Sequence, residues 1–237
     1  MIKEAIILAG GLGTRLKETV PDLPKSLAPI SGTPFLKYVI DFLVANNIKR
    51  MVFSLGYMHE EISNFVRENY KGLEVEFVVE EEPMGTGGGI ALALKKCKDE
   101  DVIIVNGDTF FNVDLQKLSS FHKQNTAICT LSLKPMFNFD RYGVVLLDKE
   151  GHIQSFLEKQ FYAEGLINGG VYALNANKFK GLKMPEKFSF ENDFLQKYYP
   201  SEKMMGIIMD NYFIDIGIKQ DYERAQTELP HQFNKIS

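Results

Sequence analysis

The sequence predicts an α/β protein with a mixed, mainly parallel central sheet flanked by helices, a Rossmann-like arrangement. Three observations carry that expectation. Ala5 to Ala9 is a short, continuous apolar run, the pattern of a strand buried on both faces. The run breaks at once into Gly10, Gly11 and Gly13, so a buried strand feeds a glycine loop at the C-terminal edge of the sheet. Beyond it, strand-like and helix-like stretches alternate to about Asn106, the rhythm of parallel strands joined by crossover helices.

In order, Thr33-Pro34 reads as a helix start, a capping side chain followed by proline. Phe35, Leu36, Val39, Ile40 and Leu43 then share one helical face, which ends at Asn46-Asn47. A strand at Met51 to Leu55, a helix near Glu60 to Tyr70 and a strand at Val75 to Glu80 follow. A glycine-rich turn then opens a helix, Gly87 to Cys97, ahead of a strand at Val102 to Asn106. Asp114 is a helix cap, and past it the rhythm changes. Thr126 to Lys134, Val144 to Asp148 and Ile153 to Glu158 read as strands, the last two joined by a hairpin turn at Asp148 to Gly151. Further strands at Gly170 to Leu174, Gly206 to Met209 and Tyr212 to Ile214 alternate with helices at Glu191 to Tyr199 and Lys219 to Glu228. One continuous domain over 1–237 is expected, with a doubly wound half (1–125) and a mixed-sheet half (126–237).

At 237 residues and 45% hydrophobic, the chain can bury one large core. A net charge of −4 without any basic run argues against a nucleic-acid polymer as partner. Cys97 and Cys129 form no disulfide framework, which suits a reducing, cytoplasmic setting, and no stretch approaches the ~18–20 apolar residues of a membrane span. His59, His122, His152 and His231 are scattered and read as surface or packing residues, not as a zinc site. A homo-oligomer is compatible with all of this.

The glycine loop offers bare amides to phosphate oxygens, and Arg15 adds a fixed charge. It is neither a dinucleotide fingerprint, since Leu16 stands at the third glycine, nor a Walker loop, which needs Gly-Lys-Ser/Thr. Pro21-Asp-Leu-Pro-Lys-Ser-Leu27 then sets Lys25 after a rigid proline. Together, L-A-G-G-x-G-T-R-L and P-K-S-L resemble the sugar-1-phosphate nucleotidyltransferase family, whose core is a GT-A-type fold. The resemblance runs to about Gln226, without the repetitive C-terminal β-helix of many relatives.

The resemblance implies a residue set. Leu8, Ala9, Gly10, Gly11, Gly13 and Thr14, with Gly85 and Thr86, would line the nucleotide. Arg15 would hold the leaving phosphates and Lys25 the α-phosphate. Asp108 in Asn106-Gly-Asp and Asp215 in Phe213-Ile-Asp-Ile-Gly217 match the two family aspartates that bind Mg²⁺. On the sugar side, Gly143 in R-Y-G-V-V, Glu158-Lys159, and Asn168-Gly169 resemble the motifs that contact the sugar phosphate. The run Glu80-Glu-Glu-Pro-Met-Gly-Thr86 should choose the base. A carboxylate only accepts hydrogen bonds, and guanine presents two adjacent donors where uracil presents one between acceptors. Glu80 lies five residues before Gly85, where pyrimidine-using relatives carry glutamine, and is preferred to Glu82 as reader.

The expected reaction joins GTP and a sugar 1-phosphate, releasing pyrophosphate, with no protein nucleophile. Within the family, F-I-D-I-G and L-I-N-G-G-V-Y most resemble guanylyltransferases for D-glycero-α-D-manno-heptose 1-phosphate, whose product feeds surface glycans. Mannose-1-phosphate guanylyltransferase and N-acetylmuramate-1-phosphate uridylyltransferase are the alternatives. A non-catalytic sensing subunit is the alternative class, though it could lose Arg15, Lys25 or an aspartate, all kept here.

Overall fold

The computed structural model describes residues 1–11, 13, 16 and 19–234. β1 (Glu4–Leu8) enters the glycine loop, and a 3-10 turn (Lys25–Leu27) leads to the short pair β2 (Pro29–Ile30) and β3 (Thr33–Pro34). Thr33 therefore does not cap the first helix: α1 (Phe35–Ala45) starts from Pro34 with no side-chain cap. Ser31 and Gly32, at φ 47° and 81°, turn the chain so tightly that Thr33 pairs back onto Ile30.

β4 (Arg50–Leu55), α2 (His59–Asn69), β5 (Glu74–Val79), α3 (Gly85–Leu94) and β6 (Asp101–Asn106) complete the alternating half. β7 (Thr109–Phe111) precedes α4 (Leu115–Asn125), which Asp114 caps by accepting from the Lys117 N–H at 2.8 Å. Then come β8 (Cys129–Phe139), β9 (Val144–Leu147), β10 (Ile153–Leu157), β11 (Tyr162–Asn175) and α5 (Ala176–Gly181). A π-helical turn (Phe190–Leu195) runs into α6 (Gln196–Tyr198), followed by β12 (Met204–Ile208), β13 (Phe213–Asp215) and α7 (Lys219–Phe233).

Nine strands form one mixed sheet. β5, β4, β1 and β6 are parallel neighbours; β11 then pairs antiparallel with β6, β8 and β9. Because β1 lies between β4 and β6, the chain reverses its winding there, and a crevice opens beyond the strand ends. Successive β1 residues face opposite ways: Ala5 and Ile7 join the core under α1, α2, α4 and α7, while Ile6 joins the core under α3 and α5. The alternation explains why the run is apolar throughout.

Two departures from the sequence reading bear on function. β11 begins at Tyr162, not Gly170, and its first half pairs with the far end of β8, Leu133 to Phe139. The register shifts between Asn168 and Tyr172, where Gly170 sits at φ +73°, so Asn168-Gly-Gly is a bulge facing the crevice. The second departure is α3, which runs Gly85–Leu94 rather than Gly87 to Cys97, so that Gly87, Gly88 and Gly89 lie a turn inside the helix. Helix propensity speaks against this, at ~1 kcal/mol per glycine. Packing decides it: a Cβ on Gly87 would meet the Phe188 ring at 2.2 Å, and one on Gly88 the Glu186 carbonyl at 2.4 Å.

Candidate active site

The strand ends are drawn together by close backbone contacts. Gly107 donates its N–H to the Leu8 carbonyl at 2.8 Å, Ala9 to Ser54 at 2.9 Å, and Glu80 to Leu55 at 2.8 Å. A Cβ on Gly10 would meet the Gly56 nitrogen at 3.0 Å, so this glycine lets the β1 and β4 ends touch. Gly13, at φ +59°, lies over Lys25, whose Cβ would be 2.9 Å from a side chain there. The loop thus folds onto the lysine.

Lys25 Nζ is 2.6 Å from Asp108 Oδ2 and 3.7 Å from Asp215 Oδ1. A small ribbon brings the two aspartates together. β7 follows Asp108 directly and pairs antiparallel with β13, setting Asp215 opposite Thr109, while Ile216 donates to the Asp108 carbonyl at 3.1 Å. Gly217 completes the arrangement: its N–H donates to Asp215 Oδ1 at 2.7 Å, and a Cβ there would lie 2.8 Å from that oxygen. Burial, then the neighbouring Asp108, push the Asp215 carboxyl above its ordinary range, against the pull of Lys25 and Arg141. Two hard oxygen donors converge on one cation, which is the donor chemistry that Mg²⁺ takes.

Around this point the crevice opens in both directions. Toward Glu80, the candidate base side, a cavity of about 700 Å³ is lined by Gly10, Gly11, Gly13, Glu80, Gly85 and Thr86. Leu8, Ala9 and Ser26 join the glycines in a smaller cradle beside Lys25 and Asp108, and the buried Ser26 hydroxyl has no partner among the described residues. Toward the other side, a cavity of about 440 Å³ shares Lys25, Asp108 and Asp215 with the centre and reaches Lys159, Asn168 and Gly169. It continues into one of about 490 Å³ against Gly143, Glu158, Lys159 and Asn168. Thr14 and Arg15 lie outside the described residues.

The candidate base readers differ sharply. Glu80 turns inward, accepting from the Met84 N–H at 2.9 Å through Oε2 and from the Ser54 hydroxyl at 3.4 Å through Oε1. Glu82 turns outward to an exposed ion pair with Lys187, which lowers its carboxyl below the usual range. Both line the base-side cavity. Thr86 is partly committed, its hydroxyl accepting from the Phe190 N–H at 3.0 Å. Asn168 is likewise engaged: its amide donates to the Tyr172 hydroxyl at 2.8 Å and accepts from the Gly170 N–H at 3.1 Å, which holds the bulge. Gly143 permits a close hairpin, since a Cβ would meet the Leu157 carbonyl at 2.4 Å.

Several lining residues escaped the sequence reading. Asn106 spans both cavities, and Arg141, Tyr142 and Glu191 line the acceptor side. Arg141 and Tyr142 stood in a recognised motif, but only its glycine was singled out. Glu191 belongs to the Phe188 to Asp193 segment, which the Gly87 contact and the Thr86 bond dock against α3. Both cysteine thiols are held in the neutral form: burial pushes Cys97 up to about 12, and Cys129 is buried and pushed up as well. At the β9–β10 turn, Asp148, Glu150 and His152 approach within 4.8 Å, but Asp148 is already bonded to the backbone N–H groups of Glu150 and His152.

A glycine-lined phosphate cradle at a winding reversal, with a lysine and two carboxylates between two cavities, is the architecture of a nucleotidyl-transferring enzyme. The nucleotidyl transferase family model matches residues 4–232, and the chain belongs to that family. It is 47% identical over 228 residues to the D-glycero-alpha-D-manno-heptose 1-phosphate guanylyltransferase of Aneurinibacillus thermoaerophilus, covering 96% of this chain and 99% of that protein. The Campylobacter jejuni protein of the same name is 45% identical, with 92% and 96% covered. Among solved structures, HddC from Yersinia pseudotuberculosis superposes with a TM-score of 0.86 at 35% identity, over 96% of this chain and 100% of that one. The same protein complexed with GMP-PN gives 0.85.

Proposed function

We propose that the protein transfers GMP from GTP to D-glycero-α-D-manno-heptose 1-phosphate, releasing pyrophosphate. The observation that carries the reaction class is the convergence of Lys25, Asp108 and Asp215 where a base-side and an acceptor-side cavity meet. The choice of GTP and heptose rests on the relatives at 45% and 47% identity, and the inward carboxylate of Glu80 agrees with guanine.

One oxygen of the acceptor phosphate attacks the α-phosphorus, that P–O bond forms, and the bond to the β-phosphate breaks in line. The amides of Gly10, Gly11 and Gly13, with Thr14 and Arg15, hold the departing phosphates. Lys25 neutralises the α-phosphate as charge builds there. Glu80 accepts from the guanine edge, with Leu8, Ala9, Gly85 and Thr86 around the nucleoside. Glu158 and Asn168 orient sugar hydroxyls, Gly143 and Gly169 let the sugar approach the backbone, and Lys159 steers the attacking phosphate. Asp108 and Asp215 would hold Mg²⁺, which supplies charge neutralisation between the nucleotide and acceptor phosphates. Lys25 stands between these carboxylates and is their counter-charge until then.

Residues 1–125 are read as the nucleotide half and 126–237 as the acceptor half of one domain, working in the cytoplasm. Among the described residues no helix is long and apolar enough to cross a membrane. The test is a panel of GTP, UTP, dTTP, CTP and ATP against several sugar 1-phosphates, reading pyrophosphate release. GTP with the heptose phosphate should turn over fastest. A preference for UTP would overturn the guanylyl assignment, and no turnover with any pair would overturn catalysis.

A further inference from the structure

The acceptor side of the crevice holds a second cation that the reaction as described does not use. Arg141 lies between β8 and β9 and lines the cavity shared by Lys25, Asp215 and Lys159. Its guanidinium is fixed from behind. Nη1 donates to Asp221, a buried carboxylate in the first turn of α7, which Arg224 also approaches at 3.5 Å. The Arg141 plane sits over the Tyr142 ring, 5.4 Å from its centroid, and Nη2 lies 3.5 Å from the Tyr142 hydroxyl.

Burying the Asp221 carboxylate is costly unless it is well paired, so its placement against Arg141 ties α7 to one loop at the crevice mouth. What the pairing fixes is a planar fork with donors to spare. An arginine carries five N–H donors, and the bond to Asp221 uses one on Nη1. Nη2 lies 3.8 Å from Asp215 Oδ2, a loose ion pair at the same range as the 3.7 Å from Lys25 to that aspartate, and beyond hydrogen-bonding distance. Arg141 itself lines the acceptor cavity together with Lys25, Lys159 and Asp215. Arg141 lines neither the base-side cavity nor the glycine cradle.

We propose that Arg141 binds the phosphate of the acceptor sugar, and that Asp221 is the positioning residue that aims it. The proposal rests on the nucleotidyl-transfer reading above. A sugar phosphate brings close to two negative charges, and Lys159 alone is an exposed point charge on a flexible stem. A rigid fork binds two phosphate oxygens at once and leaves the third directed at the α-phosphorus. Asp221 acts only through Arg141.

The test separates KM from kcat for each substrate, with Mg²⁺ saturating. Arg141→Gln should raise KM for the sugar 1-phosphate about tenfold to a hundredfold while KM for GTP stays within about twofold. Arg141→Lys should recover part of the loss, because charge returns without the fork. Asp221→Asn should raise the same KM by a smaller factor and add little on top of Arg141→Gln, the signature of one shared path. An unchanged sugar-phosphate KM in Arg141→Gln would overturn the proposal, as would a rise confined to KM for GTP or to the Mg²⁺ requirement. If Arg141→Gln fails to fold by thermal melting, Asp221→Asn decides, and an unchanged sugar-phosphate KM there overturns it equally. A wild type without turnover on any pair removes the reading and the proposal with it. Normal wild-type turnover with indifferent variants removes the proposal alone.

Discussion

The two walls of the crevice are built differently. The wall proposed for the nucleotide presents much backbone: Gly10, Gly11, Gly13 and Gly107 bring main chain to the surface, with Lys25, Asp108 and the Glu80 to Glu82 run as the charges. The wall proposed for the acceptor is mostly side chain: Arg141, Tyr142, Glu158, Lys159, Asn168 and Glu191 line it from separate segments. Backbone amides suit phosphates, whose shape is the same on every nucleotide. Side chains suit a sugar, whose hydroxyls must be told apart. The contrast also assigns different consequences to mutation. Damage to the shared centre should stop chemistry, damage to the nucleotide wall should change the base, and damage to the acceptor wall should appear in sugar affinity.

The largest expected effect is at the centre. Asp108→Asn should lower kcat by on the order of a thousandfold, since a bound metal supplies several kcal/mol of transition-state stabilisation. EDTA should abolish wild-type turnover, and full activity in chelator would remove the metal from the account. Next comes Lys25→Ala, which should depress kcat by about a hundredfold or more, and weaken binding of the finished GDP-sugar far less. A rise in KM for GTP with kcat intact would make Lys25 a ground-state binder.

On the nucleotide wall, Glu80→Gln should cost roughly five- to a hundredfold in kcat/KM for GTP, as befits a doubly hydrogen-bonded pair. The cost for UTP should be smaller, because an amide both donates and accepts. Glu82→Gln is the control, since that carboxylate is spent on exposed Lys187. Loss in Glu82→Gln with Glu80→Gln silent would move the base reader two residues along.

How much of this was legible follows the same division. The residues that converge at the strand ends were legible because they stand in contiguous chain: one apolar strand, its glycines, Pro24-Lys25 and Gly107-Asp108. The acceptor wall is assembled by topology. Arg141 owes its direction to Asp221 on α7, and Glu191 reaches the cavity because Phe188 docks on Gly87. No local pattern announces such long-range contacts. The same reason hid the first half of β11, which pairs with β8 and β9, and put the start of the helix that carries Gly87 to Gly89 at Gly87 instead of Gly85. Their helix depends on a ring from another segment.

Two smaller effects sharpen that point. Gly87→Ala should destabilise the fold by ~1–3 kcal/mol, seen as a lowered Tm, because the Phe188 ring has nowhere to yield. An unchanged Tm would mean that the segment repacks freely. The last effect concerns Asp215 in metal-free protein. Its carboxyl titrates above its unfolded value, so ionisation is disfavoured in the native state, and stability falls as pH rises through that window. Asp215→Asn should therefore raise Tm in EDTA at neutral pH, with the gain shrinking as pH falls toward the ordinary carboxylate range near 3.9. A gain independent of pH would contradict this origin.

The division of labour between the walls is tested most directly by a crystal structure with GDP-heptose and Mg²⁺ bound. The account predicts guanine against Glu80, the diphosphate between the glycine loop and Lys25, and the heptose against Glu158 and Lys159. A heptose lodged over the glycine loop, or a guanine turned away from Glu80 toward the Arg141 side, would contradict it.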